Sequence, residues 1–335
     1  MIGKKVYISW TDFNWHAYLQ AKTFNSEIKF ISSFKKIKTD RNKLLKFLVY
    51  IKKSYKSLYI IFKVKPLLLF TEDPPPISSI IAIIFRPLLK YKFVIDAHNG
   101  AFENPMISIP GHKLAMKKAD AILVHNNPLK YLVENDKRFK DCKFFTLNDP
   151  IPEIPYYKSD DNKNYLLAVT TFHGDEPIEI VLEGIMEFLK QNPNTEIEFR
   201  VTGNYNKKIR LFEQFKHPKI IFLGFVDQKV YHQQLVNSLG VISYSVRERV
   251  QQFALMEALG AGVPFISNKN LTNLELFDNK MVLTEITPDA IAEGIQKFLL
   301  SREALLSNIN SLKYNLSAKR AEDLAKIKKH LGILD

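Results

Sequence analysis

The feature that most restricts the fold of this chain is a long alternation of short apolar runs with amphipathic segments. In the first half, residues 5–10, 67–70, 92–95, 121–124 and 143–145 read as strands. Helical segments fall between them, around Trp15, His16 and Leu19, then over 42–63, 77–89, 111–118 and 129–135. In the second half the strand-like runs are 165–169, 197–202, 219–223, 240–243, 263–266 and 281–283. Helices are expected at 176–190, 229–238, 251–259 and 288–300, with a polar helical tail over 301–331. Strands separated by helices need crossover connections, which give parallel sheets with right-handed crossovers. The stretch 148–164 holds three prolines and three aspartates and reads as an interdomain linker. The expected organisation is therefore two doubly wound, Rossmann-like α/β domains, over 1–155 and 156–318, with a terminal helix over 319–335.

Charge separates the two halves. The net charge is +13, and residues 1–155 contribute 26 Lys and Arg against 13 Asp and Glu, so the second half is neutral. Residues 29–65 hold 12 basic residues and one acid, Asp40. Such asymmetry predicts an anionic partner for the first half alone. Within this segment Leu44, Leu48, Ile51, Tyr55 and Leu58 recur at helical spacing, with Lys43, Lys46, Lys52, Lys53 and Lys56 between them. Two readings stay open: a solvated basic face, or an amphipathic patch on anionic lipid headgroups. No apolar run reaches membrane-spanning length, since 77–89 is broken by Arg86 and Pro87. The start of the chain runs directly into a strand, and Cys142 is the single cysteine. Both predict a cytoplasmic, reducing location without a secretory signal.

In open parallel sheets, ligands bind beyond the carboxyl ends of the strands. In the first half those ends carry Asp96, His98, Asn99, Gly100, His125 and Asn126. In the second they carry Thr170, Thr171, His173, Gly174, Thr202, Gly203, Gly224, Ser243, Tyr244 and Asn268. Metal binding is not expected, because no Asp-x-Asp stands at a strand end and no His or Cys pair has ligand spacing.

The stretch 247–266 reads RERVQQFALMEALGAGVPFI. It predicts an irregular loop, a helix from about Gln251, a glycine stop at Gly260 and Gly262, and a buried strand from Val263. Glu257 is a lone carboxylate among small and apolar neighbours. Glu257-Ala258 followed by Gly262-Val263-Pro264 resembles the nucleotide-sugar motif of retaining GT-B glycosyltransferases of the family-4-like group. The usual first Glu of that motif is absent: Arg249 stands in its place, and the nearest acid is Glu248. Some bacterial members of the group carry an acid and a Gln in this segment, as Glu248 and Gln252 do here.

The resemblance implies a GT-B fold whose two domains face a central cleft, and a sugar transfer from a nucleotide-sugar donor to a lipid-linked or glycan acceptor in bacterial surface polysaccharide synthesis. It implies retention, with the leaving phosphate taking the acceptor proton, and no metal or other cofactor. Glu257 would hold the ribose, because a carboxylate accepts two hydrogen bonds from vicinal hydroxyls. Gln252, Gly203, Thr171 and Tyr244 would complete the donor site. Related enzymes carry an Arg and a Lys after the first strand of the second domain, whereas this chain has TTFHGDEPIE there. Arg247 and Arg249 are then the expected diphosphate ligands, with Lys207 and Lys208 as an alternative. His98, in DAHNG, would face the donor sugar, with Asp96 orienting it. If the enzyme inverts, Asp96 or His98 is the expected base. The basic 29–65 segment, with its apolar residues at helical spacing, predicts a peripheral site on the inner face of the plasma membrane, and no nucleic acid is expected. Competing readings are a GT-B-fold sugar-nucleotide epimerase and a non-catalytic basic protein that binds membrane or nucleic acid.

Overall fold

The computed structural model describes residues 3–32, 43–157 and 164–333, and the side chain of Lys43 lies outside the described set. The chain divides into two compact units. The first comprises 1–150 with 320–335, and the second comprises 151–319.

The first unit is a six-stranded parallel sheet in the order β2-β1-β3-β4-β5-β6. The strands are β1 (Lys5–Ser9), β2 (Glu27–Phe30), β3 (Leu68–Asp73), β4 (Lys92–Ala97), β5 (Ala121–Val124) and β6 (Phe144–Thr146). The crossovers are α1 (Trp15–Thr23), α2 (Lys43–Val64), α3 (Ile77–Leu89), α4 (His112–Lys118) and α5 (Asn127–Glu134). Strand β3 is buried at every position, as a central strand covered on both faces must be. Two apolar clusters cover the sheet, one containing Val6, Leu69, Phe93 and Ile122, the other Tyr7, Phe70, Val94 and Leu123. The second also takes in Ile327 and Leu331 from the end of the chain.

The second unit is also a six-stranded parallel sheet, in the order β12-β11-β10-β7-β8-β9. Its strands are β7 (Tyr165–Ala168), β8 (Glu198–Thr202), β9 (Ile220–Gly224), β10 (Gly240–Ile242), β11 (Phe265–Asn268) and β12 (Val282–Thr284). Its helices are α6 (Ile178–Gln191), α7 (Ile209–Gln214), α8 (Gln228–Val236), α9 (Phe253–Ala261), α10 (Leu271–Phe277) and α11 (Pro288–Leu331). The order is that of a Rossmann sheet, whose direction reverses between its first and fourth strands, here β7 and β10. The crevice of such a sheet opens at that reversal, so the loops after β7 and β10 are where a ligand is expected.

Several elements differ from the sequence expectation. Strand β2 lies at the sheet edge, is only partly buried and has four residues, so the alternation of its EIKF is too short to stand out from a loop. Helices α7 and α10 have six and seven residues, too few to show a helical period. The expected helix over 288–300 and the tail over 301–331 are one 44-residue helix. Gly260 lies inside α9, and Gly262 alone takes the left-handed cap at φ 74. No helix among the described residues is long and apolar enough to cross a membrane.

Candidate functional site

In the second unit, the loop after β7 runs over 170–176 and is organised by Glu176. Its carboxylate accepts hydrogen bonds from the Thr171 amide at 2.9 Å, the His173 amide at 2.9 Å, the Thr171 hydroxyl at 3.0 Å and the Thr170 hydroxyl at 2.7 Å. Backbone amides that could meet a phosphate are therefore met by an internal anion. Gly203, at the end of β8, packs directly against this loop. Its φ is +95, and a Cβ there would stand 2.1 Å from the Thr170 carbonyl oxygen, so only glycine fits.

Cations reach the same loop from two sides. Lys207 donates to the Thr171 carbonyl at 2.6 Å. Arg247 Nε lies 3.5 Å from Asp175 Oδ2. Burial opposes the Asp175 charge, but the His173 ring and Arg247 outweigh it and hold its carboxyl below the ordinary value. The structure thus brings Arg247 beside the loop that lacks a basic residue of its own. Arg249 is partly buried in the same segment, and Glu248 is exposed. The Arg247→Ala variant is expected to lose roughly ten- to hundredfold in affinity for a nucleoside diphosphate and little for the bare nucleoside, the loss of a charged hydrogen bond. Equal losses of the two ligands by calorimetry would remove Arg247 from the phosphate.

The loop after β10 leads into α9. Gln252 is its N-cap. The Gln252 amide donates to the Ser243 hydroxyl at 3.0 Å and accepts from the Ser267 hydroxyl at 3.2 Å. Those bonds seat the start of α9 over the ends of β10 and β11 and occupy the side chain, so Gln252 acts as a tie. Tyr244 is a correction. Its ring is 3 % exposed and belongs to an apolar cluster, with its hydroxyl 2.7 Å from Thr284 Oγ1. It cannot reach a donor from there.

Glu257 lies one turn into α9. The Tyr231 hydroxyl, from α8, donates to Glu257 Oε2 at 2.8 Å. Burial pushes the carboxyl up to about 7, although the Tyr231 bond acts the other way. A desolvated carboxylate with one oxygen held in place, and no ion pair to a cation among the described residues, is set up to accept hydrogen bonds from a neutral polar ligand.

In the first unit, the strand ends gather histidines and acids. His125 is buried between two carboxylates, with Nδ1 2.7 Å from Asp149 Oδ1 and Nε2 2.9 Å from Asp96 Oδ1. Burial opposes its charge, but Asp149 and Asp96 outweigh it and raise the ring to about 10. His16 Nε2 lies 3.0 Å from Asp149 Oδ1. The His16, His98 and His125 rings sit with centroids 4.4 to 5.0 Å apart. His98 is the most exposed of the three, and its Nε2 lies 3.3 Å from Glu72 Oε1. Glu72 also accepts from Asn14 at 3.2 Å and from the Ser9 hydroxyl.

This corrects the role given to Asp96. Both its oxygens are engaged, by His125 and by the Tyr7 hydroxyl at 2.7 Å, and the residue is fully buried. It neither orients His98 nor can serve as a base. Glu72 is the group that touches His98. Glu72 stands in TEDPPP, where the prolines mark only the end of a strand, and no motif surrounds His16 or His125. Their strand-end or helix-start positions were the available signal. Two trios of these residues have ligand atoms within 4.8 Å of one another, His16, His125 and Asp149, and His16, Glu72 and His98. The first has its His125 nitrogens committed to carboxylates, so the second, with His98 partly open, is the better cation candidate.

Lys53 is a second correction. It is 7 % exposed on the inner face of α2, where its ammonium donates to the Trp10 carbonyl at 2.5 Å. It cannot belong to a surface patch. Lys46, Lys52 and Lys56 are exposed.

Two parallel six-stranded α/β sheets, each with its polar residues at the strand ends, define a GT-B protein. Residues 163–301 match the family model Glycosyl transferases group 1, so the chain carries a glycosyltransferase group 1 domain on that fold. No curated protein sequence matches the chain. Among solved structures, sucrose-phosphate synthase from Thermosynechococcus elongatus is similar at TM-score 0.71 and 11 % identity, covering 97 % of this chain and 98 % of that one. HepE from Anabaena, solved in complex with UDP and glucose, is similar at TM-score 0.69 and 10 % identity, covering 98 % and 99 %. A UDP-forming trehalose-phosphate synthase from Burkholderia xenovorans is similar at TM-score 0.69 and 11 % identity, covering 97 % and 99 %. At these identities the likeness concerns the fold.

Proposed function

We propose that the protein transfers a sugar from a nucleotide-sugar donor to a lipid-linked or glycan acceptor, with retention, in bacterial surface polysaccharide synthesis. The observation that carries the donor class is Glu257, a desolvated carboxylate on α9 inside the matched domain, held by Tyr231. Its free acceptor capacity suits the vicinal hydroxyls of a ribose. Arg247 and Lys207 beside the Thr170–Glu176 loop supply the positive charge a diphosphate needs. HepE, of like fold, binds UDP and glucose, which agrees with a sugar nucleotide as donor. In the first unit we assign contact with a sugar hydroxyl to His98, and its partly exposed ring and its contact with Glu72 support that reading. The neutral second half and the basic first half favour an anionic, membrane-borne acceptor met by the first unit, at the inner face of the plasma membrane.

The test is binding. UDP, GDP and ADP are titrated into the protein, and hydrolysis of the matching nucleotide sugars is followed. A nucleotide at a hundred times its dissociation constant should stabilise the fold by about 2.7 kcal/mol. No stabilisation by any of them would discard the donor reading. Transfer is expected to persist in EDTA, because on this reading Arg247 and Lys207, beside the Thr170–Glu176 loop, neutralise the diphosphate in place of a metal. Loss in EDTA with recovery on added manganese would contradict this, and would point to His16, Glu72 and His98.

A further inference from the structure

Helix α2 has two apolar faces. One packs on the sheet through Ile61, with Ser57 and Lys53 buried beside it. The other looks outward. Leu44, Leu48, Ile51, Tyr55, Tyr59 and Phe62 follow one another at steps of three and four, so they form a single stripe opposite the buried face. They are exposed by 67, 50, 49, 69, 54 and 38 %. From Leu44 to Phe62 the stripe extends roughly 27 Å. It continues onto α3, where Phe85 meets Phe62 with ring centroids 5.1 Å apart and Ile84 and Leu88 are 61 and 70 % exposed. A contiguous apolar surface of this kind marks an interaction site.

Its charge says what covers it. Lys52, Lys56 and Lys63 lie exposed along one flank of the stripe, and α2 contains six lysines and no acid. A second copy pairing antiparallel through the same stripe would set those lysines against one another, and pairing parallel it would offer them no acid on α2. An anionic bilayer offers the complement: acyl chains for the stripe and phosphates for the flank.

We propose that α2 lies in the plane of an anionic membrane surface, with Leu48, Ile51, Tyr55 and Tyr59 inserted below the headgroups. This rests on the reading of an enzyme that works on a membrane-borne acceptor, and it changes what holds the enzyme there. The lysines select anionic lipid, while the apolar stripe provides the grip. Binding therefore survives salt that screens lysines alone, because at high ionic strength the Debye length shrinks while apolar burial persists.

The full chain is sedimented with phosphatidylglycerol–phosphatidylcholine vesicles at low and high salt. The double variant Ile51→Ser, Tyr55→Ser is expected to lose about a hundredfold in vesicle affinity at both salts. Lys52→Gln with Lys56→Gln is expected to lose about thirtyfold at low salt and little at high salt. A Tyr55→Trp reporter should be quenched by brominated lipid. Full release of the wild type by salt, with the apolar variant binding as the wild type does, would reduce the surface to an electrostatic one and overturn the proposal. So would a concentration-dependent dimer that the apolar variant abolishes, with no vesicle binding. Binding of UDP, GDP and ADP is measured on the same variants. Retained nucleotide binding with no vesicle binding sinks the docking inference alone, and the converse sinks the donor reading alone.

Discussion

The Glu257→Ala variant is expected to lose nucleotide-dependent transfer while its second unit stays folded. A carboxylate that accepts two ribose hydroxyls makes two charged hydrogen bonds, each contributing about 1.5–3 kcal/mol, so affinity for a nucleoside diphosphate should fall at least about a hundredfold. The fold tolerates the change because the carboxylate is desolvated. Its carboxyl is raised to about 7 by burial, so ionising it costs stability as pH rises from the unfolded carboxyl value through 7. Removing it relieves that cost above pH 7 and leaves the Tyr231 hydroxyl without its acceptor, two effects of opposite sign. The same carboxyl gives a pH signature. Nucleotide affinity should rise as pH passes upward through 7, where the group ionises. Tyr231→Phe removes a donor that favours the ionised form, so the rise should move to higher pH. Calorimetric titration of nucleoside diphosphates at several pH values reads all of this. Unchanged affinity and turnover in Glu257→Ala would take this carboxylate out of the site.

The second large effect belongs to the first unit. His125→Ala is expected to destabilise the protein by about 3–5 kcal/mol, because it takes the shared cation from two buried carboxylates, leaving His16 beside Asp149 and the Tyr7 hydroxyl on Asp96. At about 2–4 °C per kcal/mol, thermal unfolding should begin roughly 6–20 °C lower. The network also sets a pH window. His125 is raised to about 10, so its contribution is complete below the unfolded imidazole value and is lost as pH climbs through 10. Asp96 and Asp149 are held well below the ordinary carboxylate range, so theirs is present above the unfolded carboxyl value and fades as pH falls through the depressed values. Burial opposes all three charges, and each is kept by the opposite charge beside it. Stability measured against pH should be greatest between those limits in the wild type, and flatter in His125→Ala. A loss below about 1 kcal/mol would show that the carboxylates find other partners.

The strand-and-helix plan was legible because central strands are buried on both faces and long crossovers carry a helical period, as β3, α3 and α6 do. Edge and short elements were not, because β2 is a partly buried strand of four residues and α7 and α10 are too short to show a helical period. In the site, Glu257, Arg247 and Gly203 could be found from their places after strands or beside glycines. What sequence could not supply was the partner of each group. Nothing in DAHNG distinguishes an aspartate that orients His98 from one that answers His125 and Tyr7. Nothing in TTFHGDEPIE shows that Glu176 folds back on the amides before it. Lysines 52 and 53 are adjacent in sequence, yet one is exposed and the other buried, because on a helix neighbours point about 100° apart. The outward apolar stripe of α2 was half-visible: the spacing of Leu44, Leu48, Ile51 and Tyr55 was clear, but Leu58, grouped with them by spacing, packs on the core instead.

Helix α11 bears on the order of folding. Its last turns belong to the first unit, where Ile327 and Leu331 complete an apolar cluster and Arg320 donates to Gln20, Thr23 and the Asn148 carbonyl. The unit made first on the ribosome therefore lacks part of its own core until residue 331 has emerged. The second unit, contiguous from 151 to 319, has no such debt. Synthesis runs in one direction and completion in the other: the half translated later can close first, and the basic half, with its outward stripe, closes last.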